Sequence, residues 1–594
     1  MKRNIRRFPR IWRASRLVRR WYHARRGAYP DWAALIGTSP GMWQSARAAA
    51  QGGPRVLMAS GIGSYAHAIT LESALAAALT FRGVEVHALI CDGSLTACAE
   101  CDASLYPSMA RFVDHGPSRD LCRDCAWPAE RVYAQLGIKI HRYSDWLTAE
   151  DRAEARRIAS THPYADIQSM RVDGLAVGEH AYAGALRFFA TGSLDQESRA
   201  EPVLRRYLEA ALLTVSATRR LLRAVGFASA VCTHGIYVPW GLIAEVARQE
   251  RVNVSTWNVA YRKRRFIFSH DDTYHHTLMT EPRSHWEHLD LTPAREAELM
   301  KYLTSRRDGL FDWIVFHRPT TQDIDSIARQ LGIDRSKPVI GMLTNVSWDA
   351  QLHYPANAFP NMLEWMVQTC EYFATRPDLQ LLIRVHPAEI SGFPPSRQPI
   401  LGELRRRLPA LSSNIIVVPP ESGISTYAVM SLCNSAIIYG TKMGVELTSV
   451  GVPVIVAGEA WIRNKGLTED ASSPAEYLRI LDRLPFPATL DKGQLARARR
   501  YAYHFFFNRM IPLPFIEPNA GYPIYRLKLE TLQHLLPGRS QGLDTICDGI
   551  LGTGTFVLKD EQFNVQSSDV PVPSSGSSFG VHGSANGTEG LRSS

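Results

Sequence analysis

No apolar run in this 594-residue chain reaches the roughly 18 residues that a membrane-crossing helix needs, and the N-terminus lacks the apolar core of a secretory signal. Those two absences exclude a transmembrane or exported body and point to the cytosol. Cysteine is scarce, nine residues in all, and cytosolic thiols stay reduced, so a disulfide scaffold is excluded too. Net charge is also missing from most of the chain. The whole carries +10, but residues 1–26 hold eleven Lys and Arg and no acid, which leaves −1 for everything after them. Nothing downstream resembles a nucleic-acid-binding module, so no nucleic-acid partner is expected.

What is present is a globular composition, 45% hydrophobic and 21% charged, long enough for two or three domains. In the basic leader, residues 1–30, Phe8, Ile11, Trp12, Ser15, Val18 and Tyr22 share one face of a helical wheel. Arg6, Arg10, Arg13, Arg16 and Arg20 lie opposite, and Arg19 interrupts the apolar face. That pattern suits a helix lying on the inner face of the cytoplasmic membrane, and it suits a solvated basic tail equally well.

Residues 31–310 read as a first α/β domain. A strand at 55–60, the loop Gly61-Ile62-Gly63-Ser64, a helix at 68–82 and a strand at 84–90 make a βαβ opening. The Gly61/Gly63 pair lacks the third glycine of a dinucleotide fingerprint. An insertion at 92–128 carries Cys98-x-x-Cys101, twenty residues, then Cys122-x-x-Cys125. Two C-x-x-C pairs at that distance predict a zinc-ribbon-like insertion with one structural Zn2+ held by four thiolates; four unrelated reduced cysteines, or an iron–sulfur cluster, are the alternatives. Further on, Glu179-His180 follows a small-residue turn, where it can act as a general base or simply cap a helix. His234 closes the strand 230–233 and precedes a glycine, a placement that faces a crevice.

A second α/β domain spans 323–490. Asn345 and Ser347 follow its first strand, 339–343, and the strand 380–385 ends in Arg384 with His386-Pro387 beyond it. Ser425 and Thr426 follow the strand 415–418, where they can bind phosphate or cap a helix. The stretch 434–471 then gives a strand, the turn Gly440-Thr441-Lys442-Met443-Gly444, a helix bearing Glu446, and another strand. Loops at the carboxyl ends of parallel strands face the ligand crevice of an α/β sheet. The Gly/Ser-rich residues 538–594 read as a disordered tail.

The run Gly440-Thr441, Gly444, Glu446, Gly451-Val452-Pro453-Val454, Gly458 and Lys465-Gly466-Leu467-Thr468, with His386-Pro387 one βα unit earlier, resembles the capsule polysaccharide biosynthesis family. These are GT-B glycosyltransferases that include the bacterial Kdo transferases. The resemblance covers 337–478 well and the first domain only in outline. It implies two Rossmann-like domains facing a cleft, a helical segment at 491–537 crossing back to the first domain, and sugar transfer from a nucleotide-sugar donor, a CMP-sugar such as CMP-Kdo by preference. The acceptor it implies is a lipid-linked or polysaccharide chain of a bacterial capsule or surface glycan. Asn345, Ser347, Arg384, His386, Pro387, Ser425, Thr426, Gly440, Thr441, Gly444 and Lys465 would then surround phosphate or carboxylate, Glu446 would hold ribose, and Glu179, His180 or His234 would serve as base. Protein donors at the leaving nucleotide would replace a catalytic metal. A zinc insertion departs from the family pattern and leaves the donor open. Two rival classes stand beside this one: a sugar-nucleotide epimerase or polyol-phosphate transferase of the same architecture, and a non-enzymatic capsule assembly protein.

Overall fold

The computed structural model describes residues 27–105, 109–117, 119–307, 309, 311–313, 323–349, 356–392, 395–519 and 522–558. Residues 1–26 of the basic leader and residues 559–594 lie outside them. No described helix is long and apolar enough to cross a membrane.

The first sheet contains β1 (Arg55–Gly61), β2 (Glu85–Ile90), β3 (Lys139–Arg142), β4 (Ser229–Thr233), β5 (Asn253–Val259) and β6 (Arg265–His270). The second contains β7 (Val339–Leu343), β8 (Gln380–Arg384), β9 (Ile415–Val418), β10 (Ser435–Ile438), β11 (Val454–Val456) and β12 (Glu469–Asp470). A late strand, β13 (Ile511–Pro512), returns to the first sheet, whose order is β13-β6-β5-β4-β1-β2-β3; the second runs β12-β11-β10-β7-β8-β9. All pairings are parallel except β5 with β6 and β6 with β13. The parallel strands are short and apolar because helices cover both faces. β4, β7, β8 and β10 are buried along their whole length.

Helix α1 (Ala66–Thr80) follows β1 and is buried at every residue, so its Ala- and Leu-rich sequence has no polar face. On the other side of the first sheet, α2 (Val177–Phe189) and the 26-residue α3 (Ala200–Val225) bury Leu186, Phe188, Tyr207 and Leu208 against Leu57 and Ala230. In the second domain α4 (Met362–Ala374) packs Trp365 and Met366 on Ile340 and Ile437. Helix α5 (Lys492–Tyr503) continues into one π-helical turn, His504–Asn508, before the chain enters β13. Its aromatic residues Tyr501, Phe505, Phe506 and Phe507 are core, not a cofactor face.

Two expectations are met differently. A zinc-ribbon insertion is not shown. Cys122 and Cys125 lie within the 18-residue helix Arg119–Leu136 and not in a knuckle, since a spacing of three is also one turn of helix. The Cys125 thiol sits on the Ser64 N–H at 3.3 Å, and Cys98 and Cys101 lie 3.8 Å apart at sulfur. Among the described residues no group of three or more His, Cys, Asp or Glu is arranged to hold a metal ion. Part of the stretch 538–594 is also folded, where composition implies a tail. α6 (Gln541–Ile550) buries Leu543, Ile546, Cys547 and Ile550, an i, i+3, i+4, i+7 stripe, and Phe556 stacks on His270 beyond it.

Candidate active site

Between the two sheets lies a cavity of about 390 Å³, lined from both domains by residues at the carboxyl ends of the parallel strands. On the side of the second domain, Thr344, Asn345, Val346, Trp348 and Asp349 follow β7, His386-Pro387 follows β8 and Tyr439–Lys442 follows β10. Opposite them stand Tyr65 and His67 after β1, His234 after β4, and Tyr274 and His275 beyond β6.

A buried ion network gives the cavity its charge. Lys442 precedes α7 (Met443–Ser449), a position where the helix dipole disfavours a cation. Glu446, one turn along, holds it: Lys442 Nζ donates to Glu446 Oε1 at 2.7 Å. The other carboxylate oxygen accepts from the Tyr427 hydroxyl at 2.8 Å and pairs with Arg306 Nε at 3.0 Å. Arg306 reaches on to Asp312 at 2.6 Å. Burial alone would raise the Glu446 carboxyl, but Arg306 and Lys442 overcome it and hold the group down at about 2. Glu446 is therefore ionised at neutral pH, with its oxygens committed to neighbours. It does not line the cavity, whereas Arg306, Lys442 and Tyr427 do.

His386 lines the same wall. Burial, with Lys442 and Arg384 nearby, pushes its imidazole down to about 4, so it is neutral. Its Nδ1 accepts from the Ala388 N–H at 3.1 Å, which leaves the proton on Nε2. The turn is fixed from behind by the His386 N–H donating to Thr344 Oγ1 at 3.0 Å. Arg384 also lines the cavity, with one nitrogen on the Pro419 carbonyl at 2.6 Å, and burial lowers it to about 10. Asn345 Nδ2 donates to the Gly440 carbonyl at 2.7 Å, stapling the loops after β7 and β10.

Of the residues singled out by sequence, Asn345, Arg384, His386, Pro387, Thr426, Gly440, Thr441 and His234 line the cavity. The others have different positions. Ser425 caps the helix Thr426–Met430. The Ser347 hydroxyl is buried against Gly192, with no hydrogen-bond partner among the described residues. Gly444 lets α7 pack closely, since a Cβ there would lie 2.7 Å from both Ile438 and Ile462. Lys465 is fully buried and donates to the carbonyls of Met279 and Glu281 at 3.0 and 3.1 Å, joining the two domains. Glu179 and His180 lie on the first turn of α2, away from the cavity, and His180 Nε2 is 3.0 Å from Glu245. His234 reaches the cavity but is engaged at both nitrogens. Asn258, its carbonyl oxygen taken by the Val259 N–H, donates to Nδ1 at 3.3 Å. Nε2–H then faces the Tyr65 hydroxyl at 3.2 Å.

Sequence reasoning missed Arg306, Lys442, Tyr427, Arg187 and Asp349. Lys442 was visible, four residues before Glu446 on one helix face; the pairing of Arg306 with Glu446 left no local signal, since the two are 140 residues apart.

No family model and no curated protein matches the chain. Solved structures similar to it include a beta Kdo 2,4 transferase, KpsC of Thermosulfurimonas dismutans, at 13% identity over 47% of this chain and 80% of that one, with a TM-score of 0.30. A UDP-GlcNAc 2-epimerase of Neisseria meningitidis shares 10% identity over 76% and 97% of the two chains, with a TM-score of 0.23. The spinosyn rhamnosyltransferase SpnG shares 11% over 76% and 95%, with a TM-score of 0.22. Scores this low carry no argument about chemistry, which rests on the chain's own residues.

Proposed function

We propose that the cleft transfers a glycosyl group from a nucleotide-sugar donor to an acceptor hydroxyl. The observation that carries this reading is the group of cations at the carboxyl ends of β7, β8 and β10, where Arg306 and Lys442, paired with Glu446 and Asp312, stand with Arg384 and the neutral His386. In such a transfer the bond from the anomeric carbon to the phosphate oxygen breaks, and negative charge grows on the leaving nucleotide. Fixed cations and an Nε2–H donor placed there before the reaction lower the barrier because they need no reorganisation. These groups do at the leaving phosphate what a metal ion does elsewhere, so turnover is expected to survive a chelator.

The acceptor hydroxyl must lose a proton as it attacks. His234 is wired as a donor to Tyr65, which disfavours it as base. We assign that role to Asp349, whose half-exposed carboxylate lines the cavity and accepts from the Tyr237 hydroxyl at 2.9 Å. His386-Pro387 favours a CMP-sugar such as CMP-Kdo as donor, and a bacterial capsule or surface glycan is the matching acceptor. Residues 1–26 would hold the enzyme on the inner membrane face.

Calorimetric titration of the full chain with CMP, UDP and GDP tests the reading, with His386→Ala alongside. Binding that weakens in the variant supports it, and preference for CMP supports the CMP-sugar. A folded chain that binds none of the three is no nucleotide-sugar enzyme.

A further inference from the structure

On the first-domain side of the cavity, Arg187 stands in the last turn of α2 with its guanidinium in the cleft. Its plane is fixed by rings: the Tyr237 and Trp348 centroids lie 5.4 and 5.8 Å from Cζ. Yet its hydrogen bonding is thin. Among the described residues its one hydrogen bond is from Nε to the Ala99 carbonyl at 3.4 Å. The nearest carboxylate, Asp349, is 3.8 Å from Nη1, beyond hydrogen-bond reach, and its Oδ1 already accepts from Tyr237.

Burial lowers the Arg187 guanidinium, and Tyr237, Asp349 and Glu100 together hold it above its ordinary value. Burial pushes the Glu100 carboxyl up to about 8, so it is largely protonated at neutral pH. Burial also pushes His67, His234 and His275 down to about 3 each, so those rings are uncharged. What remains is a pre-oriented guanidinium fork with most of its donors open to the cavity and only a half-exposed Asp349 opposite. A charged guanidinium with open donors in such a place matches a planar two-oxygen anion, which it can hold by two parallel hydrogen bonds.

We propose that Arg187 is the recognition residue for an anionic group, a carboxylate or a phosphate, carried by the acceptor. The proposal rests on reading the cleft as a glycosyl-transfer site and adds the acceptor's charge to it. A sugar acid within a glycan and a phosphate at a lipid link supply the same chemistry from different sources.

Saturation-transfer NMR on the full chain holding CMP, or whichever nucleotide it binds, tests this with three probes: methyl β-glucuronide, glycerol 1-phosphate and the neutral methyl β-glucoside. At least one anionic probe should bind roughly tenfold more tightly than the neutral one, as a charge-assisted hydrogen bond supplies. The preferred probe tells sugar acid from phosphate. Arg187→Gln should bring that probe down to the neutral level with nucleotide affinity unchanged. Arg187→Lys, which keeps the charge without the fork, should retain part of the preference, and Asp349→Asn should tighten the anion by removing a competing charge. Equal binding of charged and neutral probes, an unaffected Arg187→Gln, or a weakened Asp349→Asn overturns the proposal. So does loss of nucleotide binding in a folded Arg187→Gln, which would place the guanidinium on the donor. A wild-type chain that binds no nucleotide overturns the glycosyl-transfer reading instead, and the probes run without nucleotide still report on Arg187.

Discussion

Glu446→Gln keeps the shape of a buried side chain and removes the charge that holds two cations in the cleft. The carboxyl lies at about 2 in the folded protein against an ordinary 4.5. At about 1.4 kcal/mol per unit, that difference corresponds to about 3 kcal/mol of stability. Because the folded-state value is the lower one, this stabilisation is complete above 4.5 and is lost as the pH falls through about 2. The variant should therefore melt well below the wild type at pH 7. For a domain of about 150–250 residues the drop is roughly 6–12 °C, and it should shrink as the pH is taken below 4.5. Nucleotide affinity, measured where both proteins are folded, should not fall in proportion, since one negative charge has left the anion site. Thermal unfolding across that pH range and calorimetry at pH 7 read the two effects separately. A variant that melts with the wild type but loses its nucleotide would refute the account and restore Glu446 as a ribose contact.

Three further outcomes follow from the geometry. His276 bridges Asp272 at 3.1 Å and Glu459 of the second domain at 3.3 Å; burial opposes its charge, but the two carboxylates raise it to about 10. Its stabilisation is complete below the ordinary 6.5 and lost as the pH rises through about 10, so His276→Gln should melt furthest below the wild type at pH 6 and close the gap by pH 10. Lys465→Met should cost about 3 kcal/mol in unfolding, because it leaves the Met279 and Glu281 carbonyls without their charged donor, while nucleotide affinity changes by less than about twofold. If residues 1–26 act as an interfacial helix, the full chain should sediment with anionic phospholipid vesicles at low salt, and a chain without them should not; equal sedimentation would assign the leader another role.

The sheets were legible because parallel strands bury both faces and so stand out as apolar runs such as Val339–Leu343 and Ser435–Ile438. The loops at their ends followed from topology, which is why His386, Thr441 and Arg384 reached the cavity. Three things were not legible. Arg306 and Glu446 meet across 140 residues, and no local pattern encodes such a pairing. Cys122 and Cys125 fit a metal knuckle and a helical turn equally well by spacing, and the helix prevailed because Ala129, Val132, Tyr133 and Leu136 continue an apolar face. Helix α6 was hidden by the glycine- and serine-rich composition around a short four-position stripe. Lys465 shows a fourth limit. A lysine in a glycine-bearing loop looks like a phosphate ligand until the other domain is seen to receive it.

The central claim, that the group of cations at the carboxyl ends of β7, β8 and β10 receives the nucleotide's phosphate, is tested most directly by a crystal structure of the chain soaked with CMP, UDP or GDP. The account predicts a phosphate within hydrogen-bond distance of His386 Nε2 and of Lys442 or Arg306, with Glu446 still paired behind them. A nucleotide bound elsewhere, or one whose ribose displaces Lys442 from Glu446, would contradict it.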